Sequence, residues 1–168
     1  MLGFTIAVGF FGFAHSRTMN IETDLGAVAN NDSLSTCNAN TAKINSGIAA
    51  LSAGDTLLVP NETFWVQGGV VGYNLSSVVF QIDGTLKWSN NMTAWPRVPA
   101  TPDGKVKECM YFETVDNITF TSSGTGTLDG NGEVWWGYIS YLIIGENRPR
   151  IIHIEDGGGI LFERILLR

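Results

Sequence analysis

Apolar and polar positions alternate along most of the chain after residue 55, which is the pattern of short β-strands with one buried face. The runs come in pairs that are joined by a tight polar bend, as in Val78–Ile82 and Thr85–Trp88 across Asp83-Gly84. Three further pairs follow the same plan: Thr56–Val59 with Thr63–Val66, Met110–Val115 with Ile118–Thr121, and Arg150–Glu155 with Ile160–Phe162. Period-2 alternation predicts that Ile118 and Phe120 point inward and that Asn117 and Thr119 point outward.

One segment ahead of the strands has the period of a helix. Ile44, Ile48 and Leu51 fall on one stripe at i, i+4 and i+7. Asn40 or Thr41 is a suitable cap for its start, and Gly54 is a suitable end. The segment is rich in Ser and Asn, so packing rather than propensity must hold this helix.

Two architectures fit the strand pattern, and periodicity leaves both open. Asp-Gly between alternating runs is a hairpin signal, which favours an antiparallel sandwich. A strand–bend–strand unit that recurs about every 20–30 residues favours a solenoid, in which neighbouring coils stack into one core. In a solenoid, a helix before the first coil would cover the open end of that core.

The first 16 residues differ from the rest of the chain. Leu2 to Ala14 is apolar apart from Thr5, and the first charge is Arg17. This run is shorter than the about 20 apolar residues of a membrane span and resembles the apolar region of a signal peptide. We therefore expect residues 1–16 to be a signal peptide, residues 17–168 to form one domain, and the protein to be secreted. The alternative is a buried apolar strand.

Five N-x-Ser/Thr triplets accord with secretion, because they are acceptors for N-glycosylation in the secretory pathway. The candidate acceptors are Asn31, Asn61, Asn74, Asn91 and Asn117. Each triplet could equally be a solvated polar turn.

Two cysteines, Cys37 and Cys109, could form one disulfide in an oxidising compartment. Their spacing matches no metal motif, so we expect neither a metal site nor a cofactor. The net charge of −6 with no basic cluster argues against nucleic acid as a partner. The low charged fraction of 15% and the 20 glycines suit short strands joined by tight bends.

Five segments, in chain order, resemble the opening of polygalacturonase-type glycoside hydrolases and their pectin-lyase-fold relatives. The segments are Asp24–Val28, Gly54–Pro60, Gln81–Leu86, Gly124–Gly132 followed by Trp135 and Trp136, and Arg148–Ile152. The resemblance implies a right-handed parallel β-helix whose first coil follows a capping helix. It also implies a secreted enzyme that hydrolyses galacturonosyl bonds of pectin with inversion and is a monomer at full length.

The resemblance covers only the N-terminal part of that family. The family's catalytic signatures (Asn-Thr-Asp, Asp-Asp, Gly-His-Gly and Arg-x-Lys) lie on later coils, and none occurs in this sequence. We therefore expect a C-terminally truncated β-helix that has no catalytic residues and is inactive alone. The alternatives are a non-catalytic extracellular β-helix that binds polysaccharide or has a structural or adhesion role, and a relative with lyase or rhamnogalacturonan hydrolase chemistry.

Four residues are candidates for sugar binding: Trp135, Trp136, Arg148 and His153. The tryptophans could stack on sugar rings or could pack an insertion against the coils. Arg148 could pair with a uronate carboxylate. His153 and Glu155 share one strand face and could line a groove, although surface solvation is the simpler role for both.

The remaining acidic residues give no convincing catalytic pair. Glu155 and Asp156 are adjacent on a strand and should point to opposite faces. Asp129 is expected to be a turn residue that bonds its own backbone. Glu113, Glu133 and Glu163 have no partner that can be identified from the sequence.

Overall fold

The computed structural model describes residues 16–101, 104–136 and 148–168. Residues 1–15 of the predicted signal peptide lie outside these ranges. The helices are α1 (Leu34–Ala49) and α2 (Glu133–Trp136). The strands are β1 (Thr18–Asn20), β2 (Thr56–Val59), β3 (Thr63–Val66), β4 (Val70–Tyr73), β5 (Val79–Ile82), β6 (Thr85–Trp88), β7 (Arg97–Val98), β8 (Lys105–Val106), β9 (Met110–Thr121), β10 (Gly126–Asp129), β11 (Ile152–Phe162) and β12 (Ile165–Leu167).

The strands build two parallel sheets by stacking each segment on its counterpart earlier in the chain. The first sheet has the order β1-β2-β5-β9-β11, with β4 also paired to β9, and the second has the order β12-β10-β6-β3. Among the described strand pairs, only β7 with β8 is antiparallel. A mostly-β chain with parallel sheets excludes the antiparallel sandwich and is compatible with a β-helix.

The Asp83-Gly84 bend does not form a hairpin, although its sequence is a hairpin signal. The strands on either side of this bend do not pair with each other: β5 pairs with β2 and β9, whereas β6 pairs with β3 and β10. The bend therefore carries the chain from one sheet into the other. An antiparallel hairpin and a change of sheet both need a tight polar bend, so the local sequence is the same for both.

The predicted break at Asp116-Asn117 is a bend inside one long strand. Thr114 and Asn117 have left-handed φ values of 56° and 53°, yet β9 continues through them. The register places Asp156 and Gly159 of β11 beside these two residues, and they too have positive φ, 51° and 61°. The bends thus stack from one strand to the next, at positions where Asn, Asp and Gly are the residues best tolerated.

Phenylalanine rings form a ladder through the core at one register position. Phe80, Phe120 and Phe162 are partners on β5, β9 and β11. The rings of Phe80 and Phe120 stack at 4.9 Å, and those of Phe120 and Phe162 stack at 4.6 Å. Ile118 and Phe120 are buried while Asn117 is exposed, so the predicted facing of this strand is confirmed.

Helix α1 covers the first coils but begins earlier than the sequence predicted. Ser33 is its N-cap and accepts a hydrogen bond from the Thr36 amide. Asn40 and Thr41, expected as caps, lie inside the helix, and Leu51 lies beyond its end. Ile44 and Ile48 are buried as predicted.

Polar side chains of α1 satisfy backbone groups of the coil beneath it. Asn40 Nδ2 donates to the carbonyls of Val28 and Trp65, each at 2.9 Å. Thr41 Oγ1 donates to the Gln67 carbonyl and accepts from the Gln67 amide. These bonds saturate backbone that would otherwise form an open sheet edge, so the helix covers the coils as the sequence predicted.

The predicted disulfide between Cys37 and Cys109 is not formed in the structure, because both thiols are free and buried. Cys37 lies on α1, where its Sγ donates to the Asp32 carbonyl. Cys109 immediately precedes β9 and lines a cavity with Trp135 and Ile151. Burial is the main cause that raises the pKa of each thiol, which keeps both protonated.

All five predicted glycosylation acceptors have exposed side chains: Asn31, Asn61, Asn74, Asn91 and Asn117. Asn74 and Asn117 also occupy left-handed backbone positions. These two asparagines therefore have a conformational role that is independent of any glycan. Among the described helices, none is both long enough and apolar enough to cross a membrane.

Candidate functional site

A groove of about 450 Å³ runs across the outward face of the first sheet. Its floor is formed by β4, β9 and β11, whose register aligns Val71 with Tyr111 and His153. Two residues further along the same strands, Tyr73 is aligned with Glu113 and Glu155. Side chains at i and i+2 of a strand share a face, so these six side chains line one surface. The groove volume falls in the range of about 300–1,000 Å³ typical of ligand sites.

Tyr111 lies at the centre of the groove and connects two carboxylates. Its hydroxyl is 2.7 Å from Glu155 Oε2 and 3.1 Å from Glu113 Oε2. The hydrogen bond to Glu155 is the largest cause that raises the pKa of Tyr111, followed by burial and by the bond to Glu113. The phenol therefore stays protonated and acts as a hydrogen-bond donor.

A second set of charged residues holds the imidazole of His153. Glu108 Oε1 lies 3.4 Å from Arg150 Nε and 3.7 Å from His153 Nδ1. The Glu108 side chain is only 12% exposed, so this carboxylate is largely shielded from water. The His153 ring lies edge-on to Tyr111 at 5.3 Å, which fixes its orientation at the groove floor.

The segment between β6 and β9 forms the wall of the groove. Val98, Lys105, Val106 and Lys107 line the groove from this segment. Trp95 anchors the segment, because its indole nitrogen donates to the Lys107 carbonyl at 2.8 Å. Lys107 Cδ would be 3.1 Å from a Cβ added at Gly69, so the lysine stem packs closely against the start of β4.

The structure places three of the four predicted sugar-binding residues, and it divides them between two sites. His153 lines the groove, as its shared face with Glu155 suggested. Trp135 and Arg148 line a separate cavity of about 280 Å³.

Trp135 cannot stack on a sugar as the sequence suggested, because its side chain is only 3% exposed and packs edge-on against Trp95 at 5.2 Å. It belongs to the core, in line with the packing role that the sequence also allowed. The side chain of Trp136 and the insertion at residues 137–147 lie outside the described residues.

Several acidic residues have partners that the sequence did not reveal. Glu113 accepts from Tyr111, and Glu163 accepts from Thr121 Oγ1 at 2.8 Å. Asp129 accepts from the Asn131 amide, as expected of a turn residue, and also pairs with Lys87 at 3.2 Å.

The sequence did not reveal the groove residues Tyr73 and Tyr111, nor the contact of Tyr111 with Glu113. One signal could have found them, because Tyr111-Phe112-Glu113 and His153-Ile154-Glu155 repeat an aromatic-x-Glu pattern at matching places on two strands. In the part of the chain that the structure describes, no group of three or more His, Cys, Asp or Glu residues could hold a metal ion.

Comparisons with known proteins give weak but concordant similarities. No family model matches the chain. The chain is 22% identical over 116 residues to "Alpha-L-rhamnosidase rgxB" of Aspergillus niger, which covers 69% of this chain and 27% of that protein. It is 26% identical over 118 residues to "Putative galacturan 1,4-alpha-galacturonidase C" of the same organism, covering 66% of this chain and 28% of that protein. The chain thus spans about a quarter of the length of these curated relatives.

A crystal structure of "a putative glycosyl hydrolase" from Parabacteroides merdae shares the fold. It superposes with a TM-score of 0.62 at 16% identity, covering 89% of this chain and 64% of that one. Both sequence relatives carry the names of glycoside hydrolases, and the structural neighbour shares the fold. The similarity of this chain to pectin-lyase-fold glycoside hydrolases, which the ordered sequence segments indicated, is thereby confirmed.

Proposed function

We propose that this chain forms the first coils of a right-handed parallel β-helix in a secreted glycoside hydrolase that acts on pectic polysaccharide. The observation that carries the proposal is the groove, where aromatic and carboxylate side chains lie in register on adjacent parallel strands. Such a surface offers rings for the apolar faces of sugars and acceptors for their hydroxyls. The names of the two sequence relatives support a pectin-related glycan as substrate.

The groove of this chain binds the glycan and does not supply the acid and base. Inversion requires carboxyl groups about 6.5–9.5 Å apart, with room for water between them. Glu113 and Glu155 are register partners on adjacent strands, which are about 4.8 Å apart, and one phenol hydroxyl contacts both carboxylates. Hydrolysis of galacturonosyl bonds with inversion, which the family resemblance implies, therefore requires carboxylates other than Glu113 and Glu155.

Further coils would stack on β11 and β12. Four large apolar side chains are exposed on these strands: Leu161, Phe162, Leu166 and Leu167. Phe162 continues the stacked ladder of Phe80 and Phe120, so an additional strand would bury its open ring face. An edge of this kind favours parallel pairing with another strand over exposure to water. The full-length protein is expected to be a monomer.

Secretion is part of the same proposal. The apolar run before Arg17 serves as a signal peptide over residues 1–16, which leaves residues 17–168 as the β-helix domain. The exposure of the five sequon asparagines makes each of them accessible to a glycosyltransferase.

The test is a reducing-sugar assay on polygalacturonate, together with binding of pectic oligosaccharides measured by titration calorimetry. We expect the purified chain to bind pectic oligosaccharide and to release no reducing ends. A catalytically complete longer protein that contains these coils should release them. Specific release by the 168-residue chain alone, abolished in Glu155→Gln, would show instead that the groove carboxylates are catalytic.

A non-catalytic polysaccharide-binding module is the second candidate, because Glu113 and Glu155 are both engaged by Tyr111 rather than spaced around a scissile bond. This candidate predicts the same binding by the chain. It further predicts that a longer transcript which extends past Arg168 carries no Asn-Thr-Asp and Asp-Asp signatures. Sequencing that transcript distinguishes the two candidates.

A further inference from the structure

Charge is unevenly distributed along the groove. Lys105 and Lys107 line it, and the stem of Lys107 packs beside Gly69 at the start of β4. Glu155 lines the other end and Glu113 lies beside it on the adjacent strand, two residues beyond His153 and Tyr111 respectively. Glu108 also lines the groove, but it is paired with Arg150. The groove therefore runs from an end with two lysines, across an aromatic middle, to an acidic end.

The carboxylates at the acidic end keep most of their acceptor capacity. An ionised carboxylate offers about four lone-pair sites. Tyr111 has one proton to donate, and its hydroxyl is closer to Glu155 than to Glu113. Within residues 16–101, 104–136 and 148–168, no ion pair engages either Glu113 or Glu155. Both carboxylates can accept further hydrogen bonds from a ligand.

Tyr73 adds an aromatic surface at this same end. Its side chain is 52% exposed, and its ring lies edge-on to Tyr111 at 6.1 Å. A ring held this way presents an apolar face to the groove. A sugar packed on it would have its hydroxyls within reach of Glu113 and Glu155.

From this arrangement we propose that the acidic end of the groove selects an uncharged sugar unit of the glycan and rejects a uronate. The inference rests on the proposed function, since it specifies the sugar that the same groove takes. Hydroxyl groups of a neutral sugar donate to the two carboxylates, and such charge-assisted bonds are strong. The carboxylate of a uronate at this position would face two like charges and would have no donor to offer them.

The sharpest test uses two ligands that differ at one carbon, where one is neutral and the other is charged. Methyl α-D-galactopyranoside and methyl α-D-galacturonopyranoside share one ring and differ at C6, where the second carries a carboxylate. Dissociation constants for both are measured with the 168-residue chain by NMR titration. Methyl α-L-rhamnopyranoside serves as a second neutral ligand. We expect the galacturonoside to bind about fivefold more weakly than the galactoside, as each of two like charges at an exposed site contributes roughly 1.4- to 5-fold.

Variants assign this discrimination to the two carboxylates. In the double variant Glu113→Gln/Glu155→Gln, the dissociation constants of the galactoside and the galacturonoside should differ by no more than about twofold. Glu22→Gln is the matched control, because Glu22 is exposed on the turn after β1, away from the groove; the ratio of its two dissociation constants should equal that of the wild type. Circular dichroism and thermal unfolding verify that each variant is folded.

Ionic strength gives a readout that needs no variant. Raising salt from about 0.02 M to 0.5 M shortens the screening length from roughly 20 Å to about 4 Å. Galacturonoside affinity should therefore rise relative to galactoside affinity in the wild-type chain. Tighter binding of the galacturonoside, weakened by salt, would overturn the proposal and assign uronate binding to Lys105 and Lys107. Failure of all three glycosides and of pectic oligosaccharides to bind would overturn the proposed function as well.

Discussion

The hydroxyl of Tyr111 lies 2.7 Å from Glu155 Oε2, which joins two strands whose residues are separated by 44 positions in the chain. Tyr111 is on β9 and Glu155 is on β11, and the parallel register places them on the same outward face. This contact gives the groove a protonated donor between two acceptors. It is also open to direct spectroscopic test.

Alkaline titration should reveal Tyr111 as a late-ionising phenol. The pKa of a tyrosine in an unfolded chain is about 10, and the bond to Glu155, burial and Glu113 raise the pKa of Tyr111 above that value. A folded-state pKa above the unfolded value gives a stabilising contribution that is complete below pH 10 and is lost as pH rises through the folded value.

Absorbance of tyrosinate near 295 nm should therefore show a component above the normal range that is absent in Tyr111→Phe. The stability difference between wild type and variant should shrink as pH rises beyond about 10. If the absorbance of tyrosinate rises identically at high pH in the wild type and in Tyr111→Phe, then Tyr111 does not make hydrogen bonds to Glu113 and Glu155. Tyr73→Phe is the matched control, because within the described residues Glu113 and Glu155 accept from Tyr111 and not from the Tyr73 phenol, which also lies in the groove.

Asn40 should be one of the most sensitive polar positions of the fold. Its side chain is fully buried, accepts from the Val28 amide and donates to the carbonyls of Val28 and Trp65. Asn40→Ala leaves three backbone groups without partners, and each buried unpaired group costs about 1–3 kcal/mol. We expect the free energy of unfolding to fall by about 3 kcal/mol or more in urea denaturation.

Asn38→Ala is the control for this prediction. Asn38 lies on the same helix with an exposed side chain, and Ala has the higher helix propensity. Its free energy of unfolding should equal or slightly exceed that of the wild type. If the free energy of unfolding falls equally in Asn40→Ala and Asn38→Ala, the hydrogen bonds of Asn40 are not the cause of its loss of stability.

The strands could be predicted from the sequence because period-2 alternation depends only on one strand and one buried face. Connectivity could not, since a bend such as Asp83-Gly84 has the same local chemistry whether the chain turns back or changes sheet. The helix start was misplaced because Asn40 and Thr41 resemble caps locally but bind the backbone of a distant coil. The groove was missed for a similar reason, as Tyr111 meets Glu155 only through stacking of coils.

Asp55 should make the first coil sensitive to acid. Its carboxylate accepts from the backbone amides of Arg17 and Ser52, each at 3.0 Å, and these two bonds are the largest causes that lower its pKa. A folded-state pKa below the unfolded value gives a contribution that is present above about pH 4 and is lost as pH falls through the folded value.

The change to test is Asp55→Asn, which should lower the Tm at pH 7 and lower it much less at pH 3. Calorimetric scans across this range measure the difference. For Glu22→Gln, which removes an exposed carboxylate on the turn after β1, the Tm difference from the wild type should be the same at pH 7 and pH 3. A Tm difference that stays constant from pH 7 to pH 3 would contradict a charged role for Asp55.

Gly126 and Gly124 provide a matched test of coil stacking. A Cβ at Gly126 would lie 2.0 Å from the Ile82 carbonyl oxygen of the neighbouring coil, whereas a Cβ at Gly124 would meet nothing within 4 Å. The Ile82 carbonyl is backbone and cannot rotate away as a side chain could, so Gly126→Ala must push β10 away from the end of β5. We expect Gly126→Ala to be insoluble or to lose its cooperative thermal transition.

Gly124→Ala is the control. It should keep the wild-type Tm or exceed it slightly, because Ala restricts the unfolded chain. Equal Tm values for the two variants would show that the coils do not stack this closely.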